Sequence, residues 1–143
     1  MRETNVDGRL MATVIGTAVA RAGIPGSAID YINAHSSALP DYDICDTNAF
    51  KAAFGERAYQ IPITSIKSMI GQAISASGLF QVISACLSLR HHVLPPTINQ
   101  EAPDPSCDLD YVPNCARDSV VNNVLINAHG IGGGLSALVL KRV

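Results

Sequence analysis

The sequence has no tryptophan, and aromatic residues make up only 5% of its 143 residues. Charged residues are scarce too, at 15%, and nearly balanced, with a formal charge of -2. Such a balance offers no basic field to a nucleic acid, and no aromatic–basic interleaving argues for one. No apolar run reaches the length of a membrane-spanning helix. The opening Met1-Arg2-Glu3-Thr4-Asn5 lacks the apolar core of a signal peptide. The cysteines, Cys45, Cys86, Cys107 and Cys115, show neither CxxC pairing nor zinc spacing. They read as reduced thiols in a cytoplasmic protein. Internal repeats and low-complexity segments are absent.

Apolar residues, in contrast, are plentiful: 48% of the chain, with a mean hydropathy of +0.22. The length suits one domain or a large part of one, able to bury roughly two-thirds of its unfolded surface. With so little charge, the apolar excess predicts a surface covered by another chain or by further sequence.

Helical spacing of Leu10, Met11, Val14, Ile15, Ala18, Val19 and Ala22 predicts a first helix, opened by Asp7-Gly8 and stopped at Gly23 and Pro25. A buried strand follows from Ile29 to Ala34. Asp43 is the expected N-cap of a helix from Ile44 to Phe54, closed by Gly55. A strand around Ile61–Ile63 comes next. Ile74, Leu79, Val82, Ile83, Cys86 and Leu87 mark a long apolar helix ending near Arg90. Its apolar residues ring most of its circumference, so burial on more than one side is expected, with Gly78 permitting close packing. Pro95-Pro96 starts an extended loop that runs to Leu109–Val112. Strands at Val121–Ala128 and Leu135–Leu140 close the chain as a hairpin. The order predicts a layered α/β unit with a mixed sheet.

The chemistry gathers at three strand endings: His35, then Lys67 to Gln72, then His129 to Gly134. In open α/β sheets such ends face the ligand. Two readings of His35 stand at this point, a histidine bonded within its own turn or a site residue. Lys67 is either a solvated lysine or a buried one, and if buried it needs a carboxylate partner. Asp43 and Asp46 are the candidates. The run Gly130-Ile131-Gly132-Gly133-Gly134 leads into a strand, whereas a phosphate loop leads into a helix. It reads instead as a source of positive φ angles, close approach, and backbone N–H groups for an oxyanion. Adjacent His91 and His92 do not face one metal.

Taken in order, Asn33-Ala34-His35, Lys67-Ser68-Met69-Ile70-Gly71, Pro95-Pro96-Thr97-Ile98-Asn99, Pro103-Asp104-Pro105, Cys107 to Asn114 and the Gly130–Gly134 turn resemble the C-terminal half of elongating β-ketoacyl-acyl carrier protein synthases. The resemblance spans about Asp7 to Lys141. It implies half of a thiolase-like α-β-α-β-α fold over residues 1–143, lacking a first strand and an N-terminal half. The implied reaction is a decarboxylative Claisen condensation in fatty acid or polyketide synthesis. An acyl thioester on cysteine is attacked by the enolate of a malonyl thioester. Implied partners are an acyl carrier protein bearing a phosphopantetheine-linked substrate and a chain carrying the N-terminal half, in a dimer or hetero-oligomer. No cofactor and no metal is implied.

By the same resemblance, His35 matches the first catalytic histidine and Lys67 the organising lysine. Asp43 matches a supporting aspartate, and Asp46 stands where a glutamate is usual. His129 stands where a gatekeeping phenylalanine is usual, and its backbone N–H, with Gly130 and Ile131 beyond it, belongs to the oxyanion region. Gln72 replaces the second catalytic histidine, and Ser36-Ser37 replaces Gly-Thr. None of the four cysteines matches the nucleophile. A carboxamide keeps an N–H donor but cannot shuttle a proton. The expectation is therefore part of an enzyme whose cysteine comes from elsewhere. The alternative is a non-catalytic, chain-length-factor-like partner that shapes the acyl cavity. A free-standing acyl or carrier-protein binding module is a third, weaker reading.

Overall fold

The computed structural model describes residues 6–143, so the signal-peptide reading of residues 1–5 lies outside the described residues. Gly8, at φ 69°, turns the chain into helix α1 (Arg9–Arg21). A Cβ on Gly8 would lie 2.4 Å from the backbone nitrogen of Ala49, so this turn packs directly on the next helix. Strand β1 (Tyr31–Asn33) follows, then helix α2 (Pro40–Phe54) and strand β2 (Ile63–Thr64). A short helix α3 (Lys67–Ile70) and the long helix α4 (Ser77–His91) come next. An antiparallel ribbon pairs β3 (Val93–Leu94) with β4 (Arg117–Asp118), and the chain closes with β5 (Asn123–His129) and β6 (Leu135–Lys141).

The main sheet has the order β2-β1-β5-β6. β1 runs parallel to both β2 and β5, with Ile32 opposite Ile63 and Leu125. β5 and β6 form the expected antiparallel hairpin. Gly132 and Gly133 at its turn have φ of 92° and 89°, a region that side chains with a Cβ rarely enter.

Alternation along the strands sends side chains to both faces. Ile32, Ile63 and Leu125 face α1 and α2, where Met11, Ile15, Val19, Ala49 and Phe50 complete one core. Tyr31, Val124 and Ile126 face α4, where Ala85 and Leu89 complete the other. The result is a helix–sheet–helix sandwich, three layers of the expected five.

Four details differ from the sequence reading. α2 begins at Pro40, with Leu39 as N-cap, and Asp43 lies inside its first turn. Proline suits the first helical position because its missing N–H would have no intrahelical partner there, and acidic side chains in that turn favour the helix dipole. Ile74 belongs to a separate 3-10 turn, Ile74–Ala76, before α4. The β3–β4 ribbon was not expected; each strand is too short to show a period. Finally, α4 is buried in this chain on one side only. Its inward residues are Ser77, Gln81, Ala85, Ser88 and Leu89. Its outward ones are apolar: Leu79 is 64% exposed, Phe80 44%, Ile83 47% and Leu87 52%. A Cβ at Gly78 meets nothing within 4 Å, so the close packing expected there has no neighbour within the described chain.

Glycine substitutions separate these constraints. Gly8→Ala is expected to lower stability by about 2 kcal/mol or more, since left-handed backbone alone costs roughly 1–2 kcal/mol and the added methyl strikes backbone. Gly16→Ala, on the open face of α1, should be neutral or gain up to about 1 kcal/mol. Leu125→Ala should cost about 2–5 kcal/mol. Urea unfolding midpoints check all three.

Candidate active-site cleft

The parallel pairing of β1 with β2 and β5 brings the three strand endings to one edge of the sheet. A cleft of about 490 Å³ opens there, lined by His35, Gln72, Ser77, Gly78, His129 and Ile131 among others.

Asp46 holds this edge together. It comes from α2 and is 1% exposed. Its Oδ1 accepts from Asn127 Nδ2 and from His129 Nε2, each at 2.7 Å. Its Oδ2 accepts from the Ser36 N–H at 3.0 Å and the Ser36 hydroxyl at 3.3 Å. A buried carboxylate needs such donors to offset lost hydration. Asn127 also accepts from the His35 N–H through Oδ1 at 3.1 Å, so one asparagine ties the aspartate to the histidine's backbone.

The His35 ring is fixed from its other side. Its Nδ1 accepts from the backbone N–H of His129 at 3.3 Å. The neutral ring therefore carries its proton on Nε2. The His129 ring stands edge-on to it, with centroids 5.1 Å apart, and Tyr42 stands edge-on to His129 at 5.1 Å. Burial, the nearby Lys67 charge and His129 lower the His35 pKa to about 4, against an opposing pull from Asp46. At neutral pH His35 is a neutral donor.

Lys67 stands behind the ring and is not part of the cleft lining. Its Nζ donates to the His35 carbonyl oxygen, not to a carboxylate as expected. Burial lowers its pKa to about 8, while the charges of Asp46 and Asp43 oppose the fall. Burial and the Asp46 charge raise the Asp43 pKa to about 6, against backbone N–H donors from Ser37 and Ala38 and the Lys67 charge. The α3 turn is anchored by the Ser65 hydroxyl on the Ser36 carbonyl at 2.7 Å and by the Ile98 N–H on the Ser68 hydroxyl at 3.0 Å.

Thus His35, Gln72, His129, Gly130 and Ile131 meet at one cleft, and Lys67, Asp43 and Asp46 sit behind it. The His129 N–H, assigned by resemblance to an oxyanion region, is taken by His35, and the Gly130 N–H donates to the Gly134 carbonyl at 2.7 Å. His92 Nδ1 accepts from the Val121 N–H at 3.1 Å, so that histidine ties α4 to the strand layer. No cluster of three or more His, Cys, Asp or Glu able to hold a metal occurs among the described residues. All four cysteines are free thiols. No helix among the described residues is long and apolar enough to cross a membrane.

Residues 1–101 match the family described as beta-ketoacyl synthase, C-terminal domain. The chain belongs to that family. It is 48% identical over 136 residues to the tetracenomycin polyketide synthase ketoacyl synthase alpha subunit of Streptomyces glaucescens, covering 95% of this chain and 32% of that protein. It is 43% identical over 122 residues to 3-oxoacyl-[acyl-carrier-protein] synthase 2 of Coxiella burnetii, covering 85% and 30%. Among solved structures, a type II PKS acyl-carrier protein in complex with its ketosynthase, bound to the hexaketide, superposes with a TM-score of 0.97. That match has 38% identity and covers 99% of this chain and 35% of that one. The ishigamide ketosynthase/chain length factor gives a TM-score of 0.91 at 30% identity, covering 95% and 33%. The chain thus spans about a third of the length of these relatives. For this ketosynthase domain the mixed sheet with helices on both faces is the family fold.

Reading the sequence missed Ser77 in the cleft lining, and Asn127 and Tyr42 as the residues that hold its histidines from behind. Asn127 had a signal: an amide inside the apolar strand Leu125-Ile126-Asn127-Ala128 must find partners when buried. Tyr42 and Ser77 carried none.

The geometry of Asp46 and His35 sets two outcomes. Asp46→Ala leaves donors on Ser36, Asn127 and His129 unpaired and should cost about 3–5 kcal/mol, read as a fall in thermal or urea stability. Long-range 1H–15N spectra should show His35 as the neutral Nε2–H tautomer at pH 7 and still unprotonated at pH 6. Because the lysine charge lowers its pKa, Lys67→Met should move its titration upward; titration of the unsubstituted protein near the ordinary value of 6.5 would refute the assignment.

Proposed function

We propose that this chain is the C-terminal half of a ketosynthase-like condensing enzyme, residues 1–143 forming one thiolase-type domain. His35 and Gln72 present N–H donors to the oxygen of a malonyl thioester as it loses carbon dioxide, and Lys67 organises the His35 backbone from behind. The thioester arrives on the phosphopantetheine arm of an acyl carrier protein. The nucleophilic cysteine and the opposite wall of the cleft come from an N-terminal half packed on the outward face of α4. Asp43 and Asp46 are supporting residues, and His129 with Gly130 and Ile131 shapes the side of the pocket nearest the acyl chain.

The observation that carries the reading is the shared cleft of His35 and Gln72 beside an uncovered apolar helix face. Neutral donors suit the task. A group that gains negative charge in the transition state is stabilised by fixed N–H dipoles, each worth roughly 2.7–4 kcal/mol in comparable sites. His35 is kept neutral and Nε2-protonated by its surroundings. The large apolar area on α4 is of the kind that marks an interaction surface.

A second reading is supported by Gln72. With a carboxamide in place of an imidazole, the chain can serve as a chain-length-factor-like subunit that shapes the cavity of a partner. The residue on the strand-to-helix elbow of the companion half separates the two: cysteine for the enzyme, another residue for the structural partner.

The test joins this chain to a companion half carrying that cysteine and follows decarboxylation of malonyl-acyl carrier protein. His35→Ala is expected to lower the rate by about 10²–10³-fold. Turnover that survives unchanged would remove His35 from the mechanism, and no turnover in the unsubstituted pair would favour the structural partner. Leu79→Asp with Ile83→Asp should leave the chain's own sheet intact but prevent assembly in sedimentation. Expressed alone, the chain should self-associate or melt broadly; a sharply melting monomer would count against a covered α4 face.

A further inference from the structure

We infer that Ser77 is a positioning residue that turns the Gln72 carboxamide so that its N–H2 end, not its oxygen, faces the cleft. The inference rests on the reading above, in which the cleft receives a thioester oxygen. Gln72 follows the α3 helix directly after Gly71, which closes it at φ 78°. Its side chain lines the cleft together with His35. A carboxamide has two ends of nearly equal shape and opposite hydrogen-bonding sense. In this cleft one end would assist an oxyanion and the other would repel it. Its neighbour decides between them.

That neighbour is Ser77. Its hydroxyl donates to Gln72 Oε1 at 2.6 Å, and the residue is 8% exposed. The distance fits an O–H···O bond and is shorter than an N–H···O bond normally becomes. The oxygen end is therefore held by serine. Ser77 opens α4, where a serine hydroxyl often caps a backbone N–H. Here the N-cap is Ala76, which has no side-chain oxygen, and the hydroxyl of Ser77, one position inside the helix, serves Gln72. With the oxygen engaged, both amide hydrogens remain for the cleft, beside the Nε2–H of His35. The two donors carry no fixed charge, so an anionic thioester oxygen meets dipoles that need no proton uptake to be ready.

Ser77→Ala frees the amide to rotate. In the two-half protein, decarboxylation should then fall about 10-fold in kcat with little change in KM, less than the about 10²-fold or more that follows loss of a whole donor. Ser77→Thr, which keeps the hydroxyl, should restore most of the rate. In a Gln72→Met background, Ser77→Ala should have no further effect, because no carboxamide remains to be turned. An equal loss in both backgrounds would show that Ser77 only supports the helix, and no loss with Gln72 present would also overturn the inference. A readout independent of turnover is the carboxamide 13C shift of Gln72, labelled in the same protein. Removing the hydrogen bond to Oε1 should move it upfield, and an unmoved signal would overturn the placement of the amide. A moved signal in a protein without turnover would uphold that placement and count against the condensation reading instead.

Discussion

The carboxylate of Asp46 fixes where everything else at the cleft stands. It arrives on a helix and receives donors from two different strand ends, Ser36 after β1 and Asn127 with His129 on β5. Without it these segments would present unpaired polar groups to a nearly dry interior, which costs more than the bonds return when made in water. One buried anion thus joins helix and sheet at the point where their side chains must be aligned. The remaining placements follow: Asn127 sets the His35 backbone, the His129 N–H sets the His35 ring, and the Lys67 ammonium closes on the His35 carbonyl.

Charge in the cleft is arranged by distance as much as by contact. Burial first, and then the Lys67 charge acting without contact with the ring, keep the imidazole of His35 unprotonated, and Asp46 opposes them. Three strongly shifted groups, His35, Lys67 and Asp43, are partly buried neighbours whose charges act on one another. Such clustering of perturbed groups in a cleft is a mark of functional sites. Here it leaves His35 as an uncharged donor at the cleft, with Lys67, Asp43 and Asp46 one layer behind.

Much of this was legible in the chain itself. The three strand endings, the hairpin, and both helices on the α1/α2 face follow from apolar spacing and from turn residues. The motif order gave the family and singled out His35 and Gln72, which line the cleft, and Lys67, which lies behind it. What escaped the reading depended on contacts between distant residues. Asp43 looked like an N-cap because it precedes an apolar run, yet Pro40 starts the helix one turn earlier. Lys67 called for a carboxylate by electrostatics alone, but a carbonyl brought near by the α3 turn satisfied it. The direction of the Gln72 amide depends on a hydroxyl five residues later across a 3-10 turn, which no periodicity encodes. Most instructive is α4. Its ring of apolar residues was visible, but which of them this chain covers was not, because the inward stripe is small and polar while the outward one is large and greasy.

The order of the sheet has a further consequence. β6 lies at its margin, and among the described residues no strand pairs with its outer side. Such a margin carries an unmatched row of amide and carbonyl groups, ready to template another strand. A newly made copy left uncovered therefore offers two sticky surfaces at once, one directional along the sheet and one greasy along the helix. Whatever covers the two, further sequence or a partner, removes both routes to self-association together.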